Sequence, residues 1–188
     1  MNRPDALLWQ AGWYKWALHQ PSPHHGPRPE ATPVSLGVIH CISLPPDQYG
    51  TSDIEDFFLG RLRVDAHPYF QTIAELRVSA HFLIKRGGEL IQFVSVDDRA
   101  WHAGTSEFQG RSNCNDFSVG IELEGNDHSP FDSNQYDSLI ALCQSLVSFY
   151  DIAHWVGHSE IAPGRKTDPG PGFDWPRFRR GIAAMPCA

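Results

Sequence analysis

Hydrophobic and polar positions change period along the chain, and each change marks an element. Residues 34–40 (Val-Ser-Leu-Gly-Val-Ile-His) are a β-branched run that predicts a strand ending at His40. Residues 78–84 and 89–96 are further strand-like runs, separated by Lys85-Arg86-Gly87-Gly88, a hairpin signal. The clearest alternation covers residues 117–124, where Phe117, Val119, Ile121 and Leu123 are apolar and Ser118, Gly120, Glu122 and Glu124 are small or acidic. Period two over that length predicts a strand. Helical spacing takes over at 132–150 through Tyr136, Leu139, Ile140, Leu142, Cys143, Leu146 and Val147, with Asp132 or Ser133 as N-cap. Residues 155–158 predict a short strand ending at His158, and a last amphipathic helix starts near Asp174, with Trp175, Phe178 and Ile182 on one face.

Elsewhere the pattern is weaker. Residues 53–60 suggest a helix, and the Trp- and Leu-rich residues 6–19 a short one. The prolines of 21–29 exclude regular structure there, because each lacks an N–H and restricts its neighbour. Strands and helices mingle without an internal repeat, so the predicted class is α/β with a mixed central sheet flanked by helices. One domain is expected over 1–188, with an irregular lead-in over 1–33 and a core over about 34–182.

Composition narrows the possibilities. Six Trp, eleven Phe and five Tyr supply a real core and argue against disorder. A net charge of −7 opposes nucleic-acid or anionic-membrane binding, so neither is an expected partner. The opening residues Met1 to Gln10 lack the apolar core of a secretory signal, and no stretch approaches a membrane span, so a cytosolic location is expected. Cys41, Cys114, Cys143 and Cys187 are scattered without a C-x-x-C pair and read as free thiols. The anomaly is ten histidines.

His40 and His158 fall where predicted strands end and loops begin, a common address for functional residues. The loop after His158 can fold back and bring Lys166 and Asp168 beside it. Two imidazoles and one carboxylate form a zinc set that leaves a fourth position for water. Glu122, on the polar side of an apolar strand, suits proton transfer from that water to a leaving amine. Glu124 shares its face, and one of the two is expected to be simply solvated. Lys166 suits stabilisation of an oxyanion. His24 and His25, in a proline-rich loop, read as solvated, and His81 as a hydrogen-bonded core residue. His19, His67, His128 and His154 read as structural or exposed.

The same residues carry a family likeness. Val38-Ile39-His40-Cys41-Ile42-Ser43-Leu44-Pro45-Pro46, Arg77-Val78-Ser79-Ala80-His81-Phe82-Leu83-Ile84 and Trp101-His102-Ala103-Gly104 occur in order. Cys114-Asn115-Asp116-Phe117-Ser118-Val119-Gly120-Ile121-Glu122-Leu123-Glu124-Gly125 follows, and then the stretch from Gly157-His158 through Lys166-Thr167-Asp168-Pro169-Gly170-Pro171. Together they resemble the AmpD-type 1,6-anhydro-N-acetylmuramyl-L-alanine amidases, cytosolic members of the zinc N-acetylmuramoyl-L-alanine amidase group. That group is similar in fold to T7-type lysozyme and peptidoglycan recognition proteins. The resemblance implies one catalytic zinc on His40, His158 and Asp168, with Glu122 and Lys166 catalytic. It implies substrate-side roles for Tyr69, Arg77, Trp101 and His102.

The implied reaction is hydrolysis of the amide between the lactyl group of anhydro-muramic acid and L-Ala of stem peptides, in peptidoglycan recycling. Removing such muropeptides would also lower the inducer of a chromosomal β-lactamase. The implied partners are anhydro-muramyl peptides, and the expected state is a monomer. Two positions depart from the pattern. Cys41 follows the first ligand where relatives usually carry Asn, and Asn113 stands where they commonly carry an arginine that grips the acidic stem peptide. Asn113 has no charged fork for a carboxylate, so stem-peptide preference is expected to differ. The alternatives are an amidase acting on polymeric peptidoglycan and a non-catalytic muropeptide-binding module.

Overall fold

A computed structural model describes residues 8–184. The expectations placed on residues 1–7 and on Cys187 lie outside the described residues. The central sheet has six strands: β1 (Leu18–His19), β2 (Leu36–Ile42), β3 (Phe82–Ile84), β4 (Leu90–Gln92), β5 (Ser118–Glu124) and β6 (His154–Gly157). Their order across the sheet is β6-β2-β5-β3-β4-β1. Neighbours run parallel except the β3/β4 hairpin, which is antiparallel, so the sheet is mixed as the sequence predicts. Parallel neighbours need long crossovers. Helices α1 (Asp53–Phe58) and α2 (Pro68–Ile73) lie between β2 and β3, and α3 (Ser133–Phe149) between β5 and β6. The short α4 (His158–Ile161) and α5 (Trp175–Ala183) follow β6.

Hydrophobic residues cover both faces of this sheet. Val119, Ile121 and Leu123 of β5 join one core with Leu139, Leu142 and Leu146 of α3 and Phe178 of α5. Leu83, Ile91 and Phe93 join a second core with Ile54, Phe57 and Phe58 of α1 and Phe70 and Ile73 of α2. Helix α3 opens where expected: the Asp132 N–H donates to Gln135 Oε1 at 3.1 Å, half of a capping box.

Strand β5 is buried at every position because it lies inside the sheet with both faces covered. Glu124 is therefore not the solvated position the alternation allowed. Its carboxylate, only 1% exposed, accepts the Gly50 N–H at 2.6 Å and the Arg86 N–H at 3.0 Å. Hydrogen bonds of this kind make a buried carboxylate tolerable.

The lead-in differs most from expectation. No helix forms within the described part of residues 6–19. Trp9–Gln10 pairs with Trp13–Tyr14, and β1 adds to the edge of β4. Long-range bonds outweigh the local pattern here. Buried Gln92 donates to the Gly12 carbonyl at 2.7 Å and accepts the Tyr14 N–H at 2.7 Å. The proline-rich stretch is not wholly irregular either, since His25–Pro27 pairs antiparallel with Asp98–Ala100. A proline costs a strand little when its missing donor would face away from the ladder.

The lead-in also delivers Arg28 to the body of the fold. Its guanidinium donates to the carbonyls of Val96, Asn115, Asp116 and Ser118 at 2.9–3.1 Å. Burial lowers its pKa to about 10, leaving it charged near neutrality. Arg28→Met should lower unfolding free energy by roughly 2–4 kcal/mol in urea titration, because the carbonyls lose their donor.

His81 predicts an acid limb of stability. Its Nδ1 accepts the Gly120 N–H at 3.0 Å, so Nε2 carries the hydrogen and donates to the Asp98 carbonyl at 3.1 Å. Burial, aided by the Arg28 charge, lowers its pKa from 6.5 to about 3. The unfolded chain then takes up a proton that the folded chain refuses. This contribution is complete above pH 6.5 and is lost as pH falls toward 3, by up to ~1.4 kcal/mol per pH unit. The urea midpoint of His81→Gln should fall less steeply than that of the parent over that window.

Candidate metal centre and active site

The pairing of β2 with β5 sets the site. Glu122 lies directly opposite His40, so in this parallel pair both side chains leave the same face of the sheet. Strand β2 runs on to Ile42, placing His40 inside the strand rather than at its end. Strand β6 stops at Gly157, and His158 is the first residue of α4. The following loop folds back, held by Ser159 N–H donating to the Asp168 carbonyl at 3.0 Å. Gly170, at φ +78°, must be glycine, since a Cβ would sit 1.9 Å from the Asp127 carbonyl oxygen.

These elements bring three acceptor atoms to one point. His40 Nδ1 is 2.9 Å from His158 Nδ1 and 3.0 Å from Asp168 Oδ2, while His158 Nδ1 is 3.1 Å from Asp168 Oδ2. His158 Nε2 faces the Ala103 carbonyl at 3.0 Å. A carbonyl only accepts, so that nitrogen carries the hydrogen and Nδ1 turns a lone pair inward. A lone pair facing a carboxylate oxygen is repulsive unless a cation or proton lies between. The separations lie near the ~3.3 Å edge expected for a tetrahedron of ~2.0–2.1 Å bonds. Both histidines are buried and Asp168 is largely so. A divalent transition metal fits this donor set. Among the described residues, His24 and His25 belong to no such group.

Electrostatics agree with that fit. Burial lowers the His40 pKa to about 4, so the ring is neutral and able to ligate near pH 7. Burial alone would raise Asp168, but its contacts with the His158 and His40 rings outweigh it and hold the carboxyl well below its usual range. Glu122 is pushed well above its usual value, chiefly by burial and then by the Asp168 charge, with Lys166 opposing. Its Oε2 is buried with no hydrogen-bond partner among the described residues. Burial, with Glu122 adding, also raises the Cys41 thiol far from ionisation.

A cavity of about 360 Å³ opens over this cluster. His40, Cys41, Glu122, His158, Lys166 and Asp168 line it, as do Tyr69, Trp101 and His102. Arg77 and Asn113 do not. Arg77 is exposed and donates to the Ala74 and Leu76 carbonyls of its own turn. Asn113 is exposed at φ 57°, ψ 61°, just beyond the tight hairpin that joins Glu107–Phe108 to Arg111–Ser112. Asparagine tolerates that left-handed backbone better than most residues, which is a local reason for its presence.

Sequence reasoning missed the supports. The Ala103 carbonyl, the Asn115 side chain and Arg165, which donates to the Ala103 and Thr105 carbonyls, all brace the site. Backbone acceptors leave no trace in composition, although Trp101-His102-Ala103-Gly104 was already singled out as a motif.

Comparison with known proteins defines the class. The family model for N-acetylmuramoyl-L-alanine amidase matches residues 30–171, and the chain belongs to that family. It is 52% identical over 174 residues to the 1,6-anhydro-N-acetylmuramyl-L-alanine amidase AmpD of Enterobacter cloacae, covering 92% of this chain and 93% of that one. The AmpD of Escherichia coli K12 is likewise 52% identical over 175 residues, covering 92% of this chain and 96% of its own. A selenomethionine AmpD crystal structure superposes with a TM-score of 0.91 at 52% identity, covering 93% of this chain and 98% of that one. The fold extends to Drosophila PGRP-LB, with a TM-score of 0.57 at 20% identity, covering 90% of this chain and 94% of that one.

Asp168→Ala should drop bound divalent metal from about one per chain toward zero in elemental analysis of the purified protein. A variant still holding a full equivalent would contradict the ligand set.

Proposed function

We propose that this chain, acting as a single domain, hydrolyses the amide between the lactyl group of 1,6-anhydro-N-acetylmuramic acid and L-Ala of stem peptides. One zinc ion would be held by His40, His158 and Asp168. The observation that carries this reading is the buried Glu122, with its unpartnered Oε2, opposite His40 and lining the same cavity as all three ligands. The names of the AmpD relatives support the substrate. So does AmiD of Escherichia coli, solved with anhydro-N-acetylmuramic acid-L-Ala-D-gamma-Glu-L-Lys. AmiD is 29% identical with a TM-score of 0.60, covering 82% of this chain and 60% of that one.

Zinc bound there supplies a Lewis acid for the amide carbonyl and lowers the pKa of water. Glu122 takes a proton from the attacking water as the new C–O bond forms. A raised pKa strengthens the Glu122 carboxylate as a base and suits its protonated form to give the proton back. Lys166 lines the same cavity and offsets the negative charge that develops on the carbonyl oxygen. When the C–N bond breaks, Glu122 returns the proton to the departing L-Ala amine. The products are an anhydro-muramyl sugar and a free peptide.

Tyr69 and Trp101 serve as walls for the substrate, and Trp101 is held by the Arg99 guanidinium 4.8 Å from its ring. Arg77 and Asn113 lie outside this cavity, so contacts from them would fall on parts of the substrate that extend beyond it. The setting proposed is cytosolic peptidoglycan recycling, with β-lactamase induction lowered wherever such muropeptides act as the signal. Among the described residues, no helix is long and apolar enough to cross a membrane. The complete ligand set favours catalysis over a binding-only role.

Mass spectrometry of anhydro-muramyl tripeptide incubated with the zinc-loaded protein should show free tripeptide. Glu122→Gln should slow that release by roughly 10²–10⁴-fold while retaining metal. Wild-type turnover in this variant would remove Glu122 from its role. Faster release from intact sacculi than from the soluble muropeptide would shift the substrate to polymer.

A further inference from the structure

We infer that Trp101-His102-Ala103-Gly104 is the outer support of the metal centre, and that His102 is a positioning residue that holds His40 in its ligating tautomer and orientation. The inference rests on reading His40, His158 and Asp168 as metal ligands. Adjacent residues serve the two histidine ligands by different means. The His102 ring meets His40, with Nδ1 at 2.9 Å from His40 Nε2, while the carbonyl of Ala103 takes the hydrogen of His158 Nε2 at 3.0 Å.

Proton placement follows from the contacts alone. If His40 Nδ1 ligates, its Nε2 must carry the hydrogen, so His102 Nδ1 must accept. His102 Nε2 then carries the other hydrogen and donates to Ser118 Oγ at 3.1 Å. Both nitrogens of His102 are thus engaged inside the protein, and neither is free for a substrate, although the ring borders the cavity. Metal-bound histidines ordinarily hand their second N–H to a carboxylate, a carbonyl or water. Here the acceptor of His40 is a neutral imidazole, which orients the ligand without adding anionic charge. Asp168 remains the sole carboxylate of the ligand set.

The space and the anchor are both built in. Position 120 must be glycine, because a Cβ there would lie 2.4 Å from His102 Cγ. Asn115 Oδ1 accepts the N–H of His102 at 3.1 Å and of Ala103 at 2.9 Å, so one amide clamps the segment that orients both ligands.

The test measures zinc affinity by competition with a chelator of known strength, on wild type, His102→Leu, His102→Asn and Asn115→Ala. His102→Leu should weaken binding by roughly 10–100-fold. His102→Asn should recover most of that, because its Oδ1 falls near the place of Nδ1 and accepts the same hydrogen. Asn115→Ala alters no ligand and keeps the His102 ring but releases the clamp on its segment, and should weaken binding in the same direction, so a His102→Leu chain that fails to fold does not block the test. Unchanged affinity in His102→Leu or Asn115→Ala, or equal loss in His102→Asn and His102→Leu, would overturn the inference while leaving the metal site standing. A wild-type chain that binds no zinc would instead overturn the metal reading itself.

Discussion

Acceptor atoms from separate parts of the chain crowd to within about 3 Å of one another, and the rest of the structure exists to hold them there. Each atom is delivered by a different device. His40 comes from inside the sheet, His158 from the first turn of a short helix, and Asp168 from a loop that must double back. Free side chains would splay apart under such repulsion. The sheet, the Ala103 carbonyl and the His102 ring remove that freedom in advance, so a cation meets a site already organised.

Two glutamates on one face of β5 show how environment divides labour between identical groups. Glu124 accepts backbone N–H groups from two loops and works as a clamp between them. Glu122 is buried as well, but its Oε2 has no such donors among the described residues and its pKa is raised by burial. A carboxylate saturated with hydrogen bonds is a poor proton carrier, whereas an unsatisfied one bordering a cavity is a good one. A two-residue shift along one strand separates structural from chemical duty.

The alternation in 117–124 and the helical period in 132–150 were legible because burial imposes them on the sequence itself. The same alternation could not say that both faces of β5 are covered, which depends on its place in the sheet, and so Glu124 looked like a surface residue. The residues 6–19 misled because their apolar content fits a helix locally, while Gln92, far along the chain, binds their backbone instead. His40, His158, Asp168, Glu122 and Lys166 were nameable because chemistry restricts their residue types. Arg77 and Asn113 were nameable only by likeness, and neither lines the cavity. Ala103 was invisible as a contributor, since any residue can present a carbonyl.

The pairing of β1 against β4 has a consequence for how the molecule behaves among other chains. Strand β4 carries Ile91 and Gln92 beside an otherwise open row of backbone groups, and β1 covers that row through its register with these residues. A bare strand edge is a template for pairing with a second molecule and so for aggregation. The lead-in therefore acts as an internal blocking strand. It is only two residues long, which leaves little of a new edge for another chain to extend.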